Sequence, residues 1–180
     1  MQYLTDTDLA GERGCILSDC GTYRLSLWRE WDKSLPRVAA LMLNPSTASH
    51  LVTDPTDTRI FTRAVAMGFG RYEIVNLFPL RSTDPDVLLT HPDPIGPRRG
   101  GISADGAILD AVSAASMVWC AWGAHPAAAA RAAEVMDLIR MTGMRNKLYH
   151  LGLNKDGSPK HPLYIAASTR PKLFTYEATQ

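Results

Sequence analysis

The chain has 180 residues, 46% of them hydrophobic and 21% charged, with a formal net charge of +1. That length carries one domain with a real core, and so even a charge balance exerts no overall pull toward nucleic acid or a membrane surface. Three cysteines (15, 20 and 120) make no disulfide framework in a chain of this size, and no window approaches the ~20 apolar residues of a membrane span.

Met1-Gln-Tyr-Leu-Thr-Asp has neither the basic flank nor the apolar stretch of a signal peptide, so the expected location is the cytoplasm. Residues 1–35 read as an N-terminal antiparallel hairpin. Gly14-Cys-Ile-Leu-Ser and Tyr23-Arg-Leu-Ser-Leu-Trp-Arg alternate apolar and polar residues around the turn Asp19-Cys20-Gly21. Strict alternation sets Tyr23, Leu25 and Leu27 on one face, with Arg24, Ser26 and Trp28 on the other.

Val38-Ala-Ala-Leu-Met-Leu43 is an unbroken apolar run, the signature of a strand buried on both faces. It stops at Asn44-Pro45, because proline has no N–H for the ladder. A polar loop from Ser46 to Asp57 follows. Ile60, Phe61, Ala64, Val65 and Met67 then mark a helical stripe starting at Thr58. Tyr72 to Phe78 is a second strand, which completes a βαβ unit with the expected right-handed crossover.

Pro85, Pro92, Pro94, Gly96, Pro97 and Gly100 punctuate a long irregular loop. Ser103 to Ala115 is a helix, Ser116 to Trp122 a third buried strand, and Pro126 to Met141 an alanine-rich helix. Lys147 to Leu151 is the last strand of the core, which spans 36–170, and 171–180 is a peripheral tail. The fold class is α/β, a mostly parallel central sheet flanked by helices. In such sheets ligands bind beyond the carboxyl ends of the strands. Several strands end there in polar punctuation: Asn44-Pro45, Asn76 with Arg81, and Trp122-Gly123.

Each of these side chains carries a plain alternative. Asn44 can orient a water or read a base edge, or it is a turn amide bonded to nearby backbone. Asp54 is the candidate carboxylate for activating water or stabilising a developing cation, with Asp57 the expected helix cap. Arg59 sits in a first helical turn, against the macrodipole, which points to pairing with Asp54 or an anionic ligand, or it is a solvated surface arginine. Asn76 ends a buried strand and must find partners, either a ligand or backbone. Arg81 can contact phosphate or form a salt bridge with solvent access. His161, held extended before Pro162, can donate to phosphate or to an oxygen that gathers charge, or it is an incidental loop histidine. No phosphate-binding glycine loop, catalytic serine elbow or HExxH motif is present, and neither a cofactor nor a resident metal is expected.

The run Met42-Leu-Asn-Pro-Ser-Thr-Ala48, Asp54-Pro-Thr with Arg59, Val75-Asn-Leu-Phe-Pro-Leu-Arg-Ser-Thr-Asp-Pro85, Trp122-Gly123 and Gly157-Ser-Pro-Lys-His-Pro-Leu-Tyr164 resembles an uncharacterised domain-of-unknown-function family of bacterial and phage proteins. An Asn-Asp pair follows the Gly-Pro of that family's central loop, whereas Gly96-Pro97 here leads into Arg98-Arg99.

More distantly, the layout resembles the uracil-DNA glycosylase superfamily. That resemblance implies a three-layer α/β/α sandwich around a short, mostly parallel sheet. Leu43-Asn44-Pro45 is similar to its water-activating loop, Val75-Asn76-Leu77 to its base-reading strand end, and His161-Pro-Leu-Tyr to its His-Pro loop. Met42 stands where that superfamily has glycine, Leu163-Tyr164 where it has Ser-Pro, and no tyrosine follows Pro45. The implied site is Asn44, Asp54 and His161 for chemistry, with Pro45, Ser46, Thr47, Arg59, Asn76, Arg81, Trp122 and Gly123 binding a nucleotide or DNA. The expected activity is N-glycosidic bond hydrolysis. A non-catalytic binding module and a metal-dependent hydrolase using Asp54, Asp57 and His161 are the alternatives.

Overall fold

The computed structural model describes residues 1–46, 49–96 and 103–176. Its strands are β1 (Gln2–Asp8), β2 (Gly11–Leu17), β3 (Arg24–Glu30), β4 (Arg37–Met42), β5 (Arg71–Asn76), β6 (Met117–Cys120), β7 (Leu148–His150) and β8 (Lys172–Leu173). The helices are α1 (Pro55–Ala66), α2 (Ala104–Ala114) and α3 (Ala128–Met141). Among the described residues all strands join one sheet in the order β1-β2-β3-β5-β4-β6-β7-β8.

The apolar run expected to be a doubly buried strand is β4, and alternation explains why it is apolar throughout. Ala39 and Leu41 face a core shared with α2 and α3; Val38, Ala40 and Met42 face a second core shared with Ile60 and Ala64 of α1. β5 pairs parallel with one side of β4 and β6 with the other. The chain thus winds first one way from β4 and then back across it. Crossovers of one hand must therefore lie on opposite faces, with α1 on one and α2 and α3 on the other. The place where winding reverses is the carboxyl end of β4, where a crevice opens.

The expectation of a three-layer sandwich around a short, mostly parallel sheet is corrected. Antiparallel pairings outnumber parallel ones, because β1, β2 and β3 add an antiparallel ribbon to β5, and β8 runs antiparallel to β7. The fold is mixed α/β with a single eight-stranded sheet among the described residues. β1 has only weak apolar alternation, and the sequence does not announce it. The segment expected to be a peripheral tail supplies β8 and the buried Phe174, which packs edge-to-face on Trp122 with ring centroids 5.7 Å apart. No helix among the described residues is long and apolar enough to cross a membrane.

The pairing of β2 with β3 contains one slip in register. Ile16 faces Ser26, but Leu17 faces Arg24, so Leu25 is an extra residue, a β-bulge. Beyond it the side chains change faces. Arg24 therefore joins the face of Leu27, against the strict alternation expected.

Candidate functional site

Beyond the carboxyl ends of β4 and β5 lies a cavity of about 220 Å³. Its apolar floor is Leu27, Met42 and Ile74, and its polar rim includes Asn44, Ser46, Asp54, Asn76 and His161, with Trp122 on one side. Six residues expected at the site from sequence are thus brought together from separate segments of the chain.

The ladder between β4 and β5 continues past the strand ends, with Leu77 N–H donating to Met42 O at 2.8 Å and Phe78 N–H to Leu43 O at 2.9 Å. Pro45 then ends it; this buried proline shapes the turn and does not line the cavity. Asn44 Nδ2 donates to Ser82 O at 3.0 Å and to Pro45 O at 3.3 Å. The backbone alternative thus holds for its amide nitrogen. Among the described residues no donor reaches Asn44 Oδ1, which remains an acceptor at the cavity rim.

Asn76 brings an amide to the cavity wall from the end of β5. It is only 4% exposed, lines the cavity, and its amide makes no hydrogen bond among the described residues. A buried amide normally satisfies itself. An open donor and acceptor facing a hollow are a complement for a flat ligand edge that also carries both.

The roles of the two aspartates are exchanged. Asp54 is the helix cap: its Oδ1 accepts the Asp57 N–H at 2.7 Å, and its Oδ2 accepts the Ser46 hydroxyl. Pro55 follows at the first helical position, where its missing N–H costs nothing. Asp57 is therefore already inside α1, not its cap. It is buried, accepts the Tyr72 hydroxyl, and lies 3.3 Å from Arg29. Burial pushes its carboxyl above the ordinary range, and also drives the Tyr72 phenol well upward.

His161 caps a short 3-10 turn, Pro162–Tyr164, its Nδ1 accepting the Leu163 N–H at a long 3.4 Å. Acceptance at Nδ1 puts the proton of the neutral ring on Nε2. Burial lowers the ring's pKa below its ordinary value, opposed by the negative charge of Asp54, so the neutral form prevails at pH 7. His161 is then a neutral Nε2–H donor on the cavity wall.

Other expected residues serve elsewhere. Arg81 Nη1 donates to Gly21 O at 3.0 Å and ties the turn between β2 and β3. Arg59 lies outside the cavity lining, and no ion pair joins it to Asp54 among the described residues. Gly123, at φ 78°, donates its N–H to Pro159 O at 2.9 Å and faces a neighbouring cavity across Trp122. Thr47 lies outside the described residues, as do Arg98 and Arg99. No group of three His, Cys, Asp or Glu side chains among the described residues is arranged to hold a metal ion, so Asp54, Asp57 and His161 do not form one.

Sequence reasoning misses Arg24, Ser82, Thr83 and Pro85, all of which line the cavity. Ser82 and Thr83 directly follow Arg81 and could have been found through it, whereas Arg24 is hidden by the bulge. Comparison with curated proteins and with solved structures gives no match. A family model described as a protein of unknown function (DUF1643) matches residues 24–163, which takes in every segment of the cavity, and the chain belongs to that family.

Proposed function

We propose that the cavity recognises a nucleobase and hydrolyses an N-glycosidic bond in DNA or in a nucleotide. The observation that carries this reading is the open amide of Asn76, buried at a strand end beside an apolar floor. The segments that resemble the uracil-DNA glycosylase superfamily converge on the same hollow, which supports the reading.

Asn76 pairs with the donor and acceptor edge of the base. Asn44 Oδ1 accepts from a water and aims it at the sugar carbon. The charge of Asp54, fixed by its cap, favours the positive charge that gathers on the sugar as the bond to the base stretches. The water oxygen bonds to that carbon, the carbon–nitrogen bond breaks, and its electron pair leaves with the base. The Nε2–H of His161 donates to a base oxygen as negative charge collects there. The proton released by the water passes to solvent or to the departing base.

A second reading, a nucleotide-binding module without catalysis, is favoured by the backbone bonds of the Asn44 amide and by the full engagement of both Asp54 oxygens. Base release from a panel of modified and mismatched oligonucleotides and nucleotides separates the two. Release by the wild type that falls roughly a hundredfold or more in both Asn76→Ala and His161→Ala supports hydrolysis. A folded wild type that binds nucleotides and releases no base from any of them supports the binding module.

A further inference from the structure

Hydrolysis in the cavity frees a proton from the attacking water, and a carboxylate is the natural first acceptor. Asp54 is poorly equipped for that part, since its two oxygens already accept the Asp57 N–H and the Ser46 hydroxyl. Among the described residues one other carboxylate lines the cavity, and it is Asp57.

The cap at Asp54 starts α1 three residues earlier, so Asp57 enters the wall from within the helix, where it is 1% exposed. It also lines a second cavity of about 200 Å³, together with Arg29, Trp31 and Phe61, and so stands where two hollows meet. Its two oxygens differ. Oδ1 accepts the Tyr72 hydroxyl, whereas Oδ2 is closed to bulk solvent and accepts no hydrogen bond among the described residues. The contact of Oδ2 is an ion pair with Arg29 at 3.3 Å. A buried oxygen left without a hydrogen bond calls for a reason, and a proton acceptor held in reserve is one.

The ionisable groups facing this carboxyl are Arg24 and Arg29 of β3, Tyr72 of β5 and Asp54 at the helix start. Tyr72 and the two arginines favour its charged form, while burial and Asp54 oppose it. Burial is the largest influence, so the carboxyl titrates above its ordinary range and is the stronger base for it. His161, on the turn that packs against α1, is neutral at pH 7.

We propose that Asp57 is the general base of the cavity and takes the proton of the attacking water on Oδ2. The inference rests on the hydrolytic reading above. As the water oxygen bonds to the sugar carbon, one O–H bond breaks and its proton passes to Oδ2. The carbon–nitrogen bond breaks at the same carbon, and its electron pair leaves with the base. Asp57 then releases the proton to solvent and returns to its charged form.

The pH dependence of base release by the full chain tests this, on the oligonucleotide or nucleotide of the panel that is cleaved fastest. Asp57 accepts a proton only when ionised, so kcat is expected to fall along an acid limb. Asp57→Asn nearly keeps the shape and loses the basicity. It is expected to lower kcat roughly a hundredfold or more, with KM little changed and the limb gone. Asp57→Glu restores a carboxylate and is expected to recover part of kcat together with the limb. Tyr72→Phe leaves Asp57 in place but removes a hydrogen bond to its charged form, so the limb is expected to move to higher pH.

A role confined to packing predicts another pattern: a lower urea midpoint in these variants with the acid limb unmoved. That pattern overturns the general base, as does a folded Asp57→Asn that releases base at the wild-type rate. The shift in Tyr72→Phe is read with Asp57 intact, so a misfolded Asp57→Asn leaves the test standing. Base release with an unmoved limb removes the general base and keeps the hydrolase. No release from any panel member by the folded wild type removes both.

Discussion

Asp54 accepts the Asp57 N–H at 2.7 Å and the Ser46 hydroxyl, so its charge is held in place by the start of a helix. Capping is separable from the part that the proposed hydrolysis gives this residue. Asp54→Ala removes both, and is expected to cost about 0.5–2 kcal/mol of stability in urea unfolding. Asp54→Asn keeps a cap of similar strength and removes only the charge, so its unfolding midpoint is expected to stay near wild type while base release falls. His161 makes a second prediction. Its folded pKa is depressed below the ordinary 6.5, chiefly by burial. The unfolded chain then binds more protons than the folded one as pH falls, so this contribution is complete above about 6.5 and is lost as pH drops through the folded value. The urea midpoint is expected to decline below that pH. His161→Gln should flatten the decline without abolishing it, because burial also lowers the pKa of His150.

At the scale of elements, α1 braces the segment that follows His161. Arg63, buried near the end of that helix, donates through Nη1 to Thr169 O at 2.7 Å and Ala167 O at 3.3 Å, and through Nη2 to Ala166 O at 2.8 Å. Arg63→Met leaves three carbonyls without this fork and is expected to cost about 1–3 kcal/mol. Hydrogen exchange over 165–170 should quicken more than exchange in β4. A uniform quickening would place the brace elsewhere.

Elements like these are legible in proportion to their local signal. The runs that form β4, β5, β6 and α3 are plain, because apolar residues unbroken or at helical spacing encode burial directly. The start of α1 is easily misplaced because two aspartates, 54 and 57, both suit a cap, and Asp54-Pro55 also reads as a turn. Proline at the first helical position is the deciding signal. The face of Arg24 is illegible, since one extra residue reverses every side chain beyond it and nothing in the local pattern marks the slip.

For the whole molecule, the reversal of winding at β4 explains why scattered asparagines point to one site. A parallel strand next to β4 on each side brings the residues after Met42, Asn76 and Cys120 to one crevice whatever the loops do. The antiparallel half reads locally as a hairpin, but its attachment to β5 is a long-range pairing that no local pattern specifies.

That attachment leaves β1 and β8 as the outer strands. β8 is two residues long and offers a second chain little to pair with. β1 is seven residues long and carries Asp6 and Asp8, both ion-paired with Arg13 of the adjacent strand. Two carboxylates sharing one guanidinium leave this edge with an excess of negative charge, which repels the same edge of another copy and makes these acids gatekeepers of colloidal behaviour. Replacing both with threonine, a good strand former, is expected to raise light scattering at high protein concentration relative to wild type. Unchanged scattering would mean that these acids do not guard the edge.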